Sequence, residues 1–83
     1  MSEERAYWSK LVEDLQGLMT VHGIMTIAKI AELIGVEPRQ VWRMKAGEDR
    51  PKGIVALNLY LLHMKHCPER QRPESHSQEA LKG

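Results

Sequence analysis

Phenylalanine is absent from this chain, and cysteine occurs once. The lone Cys67 excludes an internal disulfide framework. No apolar run approaches the roughly 20 residues a membrane-spanning helix needs, and no charged, apolar and small-residue succession reads as a secretion signal. A reducing, cytoplasmic compartment without a membrane partner is therefore expected. Glycine-rich phosphate loops, paired acids and nucleophile–base arrangements are missing as well, so the chain is expected to be no enzyme and to need no cofactor. His63, His66 and Cys67 lie close together, but zinc wants three or four ligands at characteristic spacing, and no CxxC or HxxxH element completes a site. No metal is expected, and the two histidines are placed at a helix C-terminus, where positive charge is favoured. Excess charge is lacking too: the formal net charge is +1 and the pI is about 7.9. Any case for nucleic acid must come from where the charges sit.

What is present is an ordinary globular composition, with 42% apolar and 28% charged residues over 83 positions. That is enough for one small domain, and domains of this size are marginally stable alone, which favours a partner. From Ser2 to about His22 the residues Trp8, Leu11, Val12, Leu15, Leu18 and Met19 recur at the period of one buried helix face. Ser2 can cap the start, Glu3 and Glu4 suit the N-terminal dipole, and Gly23 is placed to end the helix in a left-handed conformation. The charges of this segment sum to −2, so its outer face should point away from any phosphate backbone.

Two short helical patterns follow in IAELIGVEPRQVWRMK, residues 30–45. Thr26 is a candidate N-cap for a helix with an apolar stripe of Ile27, Ile30, Ala31 and Ile34, and Gly35 ends it. Glu37 can cap the next helix, with Pro38 at the first helical position, where a missing N–H costs nothing. That helix runs from Pro38 to about Ala46, with Gly47 as its stop. At about 100° per residue, Val41, Met44 and Lys45 fall on one side and Arg39, Trp42 and Arg43 on another. One side packs and the other faces out. Two short helices joined by a glycine-containing turn make a helix-turn-helix, which holds its second helix proud of the body.

These residues, together with GVEPRQVWRMKAG and the following RPKGIVALNLYLL, resemble the lambda repressor/Cro-like (XRE-like) helix-turn-helix regulators, and small phage regulators in particular. The resemblance covers about residues 26–62. It implies that the third helix reads double-stranded DNA, with Glu37, Pro38, Arg39, Trp42 and Arg43 at its DNA-facing places and Gln40 at the margin. An arginine can grip guanine bidentately, worth about 1–3 kcal/mol of discrimination, so Arg39 and Arg43, one turn apart, are the expected base readers. Gln40 could read adenine or bond a phosphate; Lys45, Arg50 and Lys52 are candidates for backbone contacts that position without specifying. From Glu37 to Lys52 the charges sum to +2.

The plainer reading is that the arginines are only the solvated face of an amphipathic helix. Two departures from the family bear on the choice. Its second helix usually begins with a glutamine that touches phosphate, where Ile27 stands here. Trp42 occupies a place where a small polar residue is usual; it could touch a thymine methyl, pack on another protein or fold back, and packing or a partner contact is favoured.

The segment IVALNLYLLHMKH, residues 54–66, reads as a fourth helix with two apolar arcs. Ile54, Leu57, Tyr60, Leu61 and Met64 make one; Val55, Leu59 and Leu62 make the other. A domain this small has one core, so one arc should be left exposed. Val55, Leu59 and Leu62 are taken as that strip and as a homodimer interface, in keeping with dimers that bind two half-sites one DNA turn apart. The alternative is that both arcs are covered by the first helix and the tail. From residue 68 the chain is polar, proline-containing and charge-balanced.

The expected organisation is all-α: a helix-turn-helix DNA-binding domain of about four helices over residues 1–66 and a flexible polar tail over 67–83. The expected function is a sequence-specific, homodimeric DNA-binding transcriptional regulator, a repressor that occludes a promoter on an inverted repeat. Activation through contact with RNA polymerase or another protein, by the acidic face of the first helix, stays open. The competing class is a helix-turn-helix scaffold that inhibits or recruits another protein through Trp42 and the second apolar arc, Val55, Leu59 and Leu62. RNA binding ranks lower, since no aromatic platform on a sheet is apparent.

Overall fold

The computed structural model describes residues 2–68. It contains four helices and one short hairpin: α1 Glu3–Leu15, β1 Met19–Thr20, β2 Gly23–Ile24, α2 Ile27–Ile34, α3 Pro38–Lys45 and α4 Gly53–His66. Among the described residues no helix is long and apolar enough to cross a membrane. Residues 69–83, most of the expected tail, lie outside the description.

Helix α1 starts as its sequence asks, the Arg5 N–H donating to the Ser2 hydroxyl at 3.2 Å. It stops earlier than expected. Gly17 takes a left-handed φ of +88°, which an alanine there could reach only at a cost of about 1–2 kcal/mol. The chain then reverses: the Gly17 N–H donates to the Met25 carbonyl and the Met25 N–H to that of Leu18, both at 2.7 Å. Met19 pairs with Ile24 and Thr20 with Gly23 in antiparallel register. The Thr20 hydroxyl fastens the tip, accepting from the His22 N–H and donating to the Gly23 carbonyl. Met19, expected on a buried helix face, is thus exposed on a strand, while Met25 is buried.

Helices α2 and α3 begin and end on local signals. The Lys29 N–H donates to Thr26 Oγ1 at 3.1 Å. At the other end Gly35 has φ +85°, and the N–H groups of Gly35 and Val36 both donate to the Ala31 carbonyl at 2.9 Å. Pro38 opens α3 two residues later, and Gly47 closes it with φ +78° while the Glu48 N–H reaches back to the Arg43 carbonyl. Glu37 has the extended backbone of an N-cap, but its side chain makes no cap hydrogen bond.

The core is one cluster. Leu11, Val12 and Leu15 of α1 meet Ile27, Ile30, Ala31 and Ile34 of α2, Val41 and Met44 of α3, Leu59 of α4, and Met25. Apart from the small Ala31, each such side chain contributes about 1.5–3 kcal/mol by leaving water. Helices α3 and α4 each pack against α1 and α2. The Ser9 hydroxyl ties α1 to α3 by donating to the Lys45 carbonyl.

Helix α4 reverses the expected roles of its two arcs. Leu59 is fully buried, and Val55 and Leu62 pack half-buried against the core; none of the three is available as a free dimer face. The outer arc is the other one, with Ile54 66% exposed and Leu57 and Leu61 each 50%. The rotation is fixed by polar contacts as well as by packing. The Asn58 amide donates to the Ile34 carbonyl, and fully buried His63 meets Asp14 of α1, Nε2 to Oδ2, at 3.0 Å. His63 does lie in the last turn of α4, as expected, but it is buried against α1 and not solvated. Cys67, assigned to the tail, is buried and its N–H donates to the His63 carbonyl.

Candidate nucleic-acid interface

Helix α3 is held by its inner side. Val41 and Met44 are fully buried, and three residues of turn, Gly35 to Glu37, separate it from α2. With the inner side anchored, the 100° step puts Arg39, Trp42 and Arg43 in solvent, and all three are exposed. Pro38 is exposed at the start of the same helix. The arginines are not locked in place: the contact of Arg39 Nε with Glu37 Oε1 is 3.4 Å long between two largely exposed side chains, and such pairs contribute about 0–1 kcal/mol.

The flanking groups are more committed. Gln40 is half-buried, and its amide donates to Asp49 Oδ2 at 2.7 Å. Asp49 Oδ1 accepts from the Arg50 N–H at 2.8 Å. These two bonds, with Arg43 and Lys52 nearby, hold the Asp49 carboxyl below the usual carboxylate range. Asp49 was not singled out from the sequence; its place in a polar loop two residues after Gly47 is the turn signature that could have found it. A hollow of about 350 Å³ lies between the start of α3 and the start of α4, and Arg39, Gln40, Asp49, Arg50 and Lys52 are among its lining residues.

Lys45, Arg50 and Lys52 fare differently as backbone-contact candidates. Lys52 is exposed at the N-cap of α4. Arg50 is turned toward α1, its guanidinium 2.7 Å from Glu4 Oε2. The Lys45 ammonium donates to Gln16 Oε1 and sits 5.2 Å from the centre of the Trp42 ring. Trp42 is 52% exposed and lines a hollow with Ile24, Thr26 and Ala28, so one part of its indole faces the start of α2. Ile27 is buried at the beginning of α2 and offers nothing to a phosphate. No family model, curated protein or solved structure matches the chain.

Proposed function

We propose that this protein is a sequence-specific DNA-binding transcriptional regulator of the helix-turn-helix type. In this reading α3 enters the major groove as the recognition helix. The observation that carries the reading is the division of α3: Val41 and Met44 fix the helix from inside, while Arg39 and Arg43 project one turn apart on the outside. Two arginines at that spacing, on a short helix raised by a tight turn, suit bidentate contacts to guanine in neighbouring base steps. Lys52 supplies a phosphate contact, and Arg50 joins it when DNA competes with Glu4. Asp49 positions Gln40 at the edge of the reading face. The protein acts as a cytoplasmic homodimer on an inverted repeat, and repression by occlusion is the simplest mechanism for a domain of this size.

The test is selection from random DNA fragments across a salt series, with the wild type and with Arg39→Ala/Arg43→Ala. Enrichment of a short inverted repeat by the wild type, lost in the folded double variant, supports the reading. If neither protein enriches any sequence and binding vanishes uniformly at moderate salt, the reading falls. The adaptor alternative then takes its place, and half-exposed Trp42 beside its apolar hollow is the observation that favours it.

A further inference from the structure

Helix α4 is apolar nearly all the way round. From Gly53 to Met64 it carries no Asp, Glu, Lys or Arg, and a helix of that kind is normally buried on every side. Its inner side is covered by α1 and α2; its outer side is not. Ile54, Leu57, Leu61 and Met64 remain 38–66% exposed. Their spacing of three, four and three residues is the a–d–a–d repeat of a helix–helix seam. Counted at 100° per residue, this stripe is centred about 180° from fully buried Leu59, so it faces straight away from the core.

We infer that the stripe Ile54, Leu57, Leu61 and Met64 pairs, antiparallel about a two-fold axis, with the same stripe of a second copy of this chain. The spacing says that the occupant is a helix, and the lack of charge says that its contacting face is uncharged. Among the described helices only α4 offers such a face. The outer side of α1 carries Glu3, Glu4, Arg5, Lys10 and Glu13, that of α2 sets Lys29 and Glu32 beside exposed Leu33, and that of α3 carries the arginines. The stripe is also self-complementary: in the two-fold pairing Leu57 meets Leu61 of the second copy at the centre, and Ile54 meets Met64 at each end, as an isologous contact requires. Lys65, the first charge after the stripe, stands beyond its end.

The inference rests on the DNA-reading proposal for its purpose, since an inverted repeat calls for a two-fold dimer, but not for its test. Four partly exposed side chains per copy bury less than the roughly 1,200–2,000 Å² of a standard stable interface. Self-association is therefore expected to be weak in solution and to tighten when both copies share one DNA site. An apolar seam also changes little with salt, whereas contacts to phosphates weaken steeply.

The experiment is sedimentation of the full chain over a concentration series without DNA, for the wild type, Leu57→Glu and Leu61→Glu, with circular dichroism to check folding. Both positions are half-exposed and glutamate is a good helix former. The expected result is a concentration-dependent dimer in the wild type, insensitive to salt, with at least a tenfold loss of association in either folded variant. In a Leu57→Cys/Leu61→Cys/Cys67→Ser chain, oxidation should give a covalent dimer, while Ile54→Cys/Cys67→Ser should give little. A wild type that stays monomeric at high concentration overturns the inference, as does a dimer unaffected by both glutamates. Dimerisation without sequence-selective DNA binding would sink the DNA reading alone; selective binding by a strict monomer would sink only the dimer.

Discussion

The outer faces of α3 and α4 both leave large side chains in solvent, in opposite ways. On α3 the large exposed side chains include two arginines and a tryptophan that shares its ring face with Lys45; on α4 the outward stripe is Ile54, Leu57, Leu61 and Met64, with no charge among them before Lys65. Water solvates the first face at little cost, so its composition carries no demand for a cover. The second face loses free energy for every apolar Å² it exposes. A charged face is thus a site that can wait for a ligand, whereas an uncharged helix face asks for a permanent or frequent neighbour. Helices α3 and α4 pack against the same pair, α1 and α2, so the two faces belong to one packed unit and a neighbour on α4 would set where α3 stands relative to its copy.

The largest effects should come from breaking the inner side of α3 instead of its outer one. Met44→Ala removes a fully buried side chain and is expected to cost about 2–5 kcal/mol in urea unfolding. Arg43→Ala, on the same helix and exposed, should stay within about 0.5 kcal/mol. Equal losses in the two variants would mean that α3 is not divided as described, and the assignment of Arg43 to ligand contact would go with it.

A second comparison sharpens the rotation of α4. Helix α1 contacts α4 through a buried hydrogen bond, Asp14 with His63, and meets Arg50 through an exposed ion pair at Glu4. Asp14→Ala deprives a fully buried imidazole of that hydrogen bond and should cost about 1–3 kcal/mol. Glu4→Ala breaks a surface pair and should cost less than about 1 kcal/mol; it should also release Arg50 and raise DNA retention at low salt. If Asp14→Ala proves neutral in thermal and urea unfolding, the pair does not hold α4 in place.

Gly35 separates backbone from packing. A Cβ added there would meet nothing within 4 Å, yet φ is +85°. Gly35→Ala should therefore cost about 1–2 kcal/mol from the left-handed backbone alone, with the native near-UV circular dichroism retained. A loss of native tertiary signal would show that the turn between α2 and α3 does more than reverse the chain.

How much of this was readable in advance depends on whether the deciding signal was local. Thr26, Gly35, Pro38 and Gly47 act on their own neighbours, and they placed both short helices nearly to the residue. The end of α1 was misjudged because Leu18 and Met19 continue the helical period past Gly17, and a single glycine had to outweigh that pattern; the hairpin bonds between Gly17, Leu18 and Met25 decide it. The two arcs of α4 were both visible, but periodicity cannot say which one turns inward. That choice is made by Asp14, 49 residues away from His63, and by the Ile34 carbonyl that Asn58 meets. For the candidate site, the outward set Arg39, Trp42 and Arg43 followed from the 100° step alone. The capture of Arg50 by Glu4 and of Lys45 by Gln16 did not, because each joins segments far apart in sequence.

The smallest effect tests the join between the two faces. Asp49 lies in the loop from α3 to α4, accepting from the Gln40 amide and the Arg50 N–H with Arg43 and Lys52 close by. Its carboxyl is held below the usual value by those groups. An acid lowered on folding stabilises the fold above its unfolded pKa of about 3.9 and loses that contribution as pH falls through its folded value. Asp49→Asn should therefore flatten the acid limb of the stability curve below about pH 4 and leave its neutral region nearly unchanged, since solvent still screens this half-buried carboxylate. On DNA the same change has two opposed consequences. Removing a negative charge between Arg43 and Lys52 should raise non-selective retention at low salt, while loosening Gln40 should lower the enrichment of a selected sequence. Retention and enrichment moving together in the same direction would show that Asp49 tunes only the field of the surface and does not position Gln40.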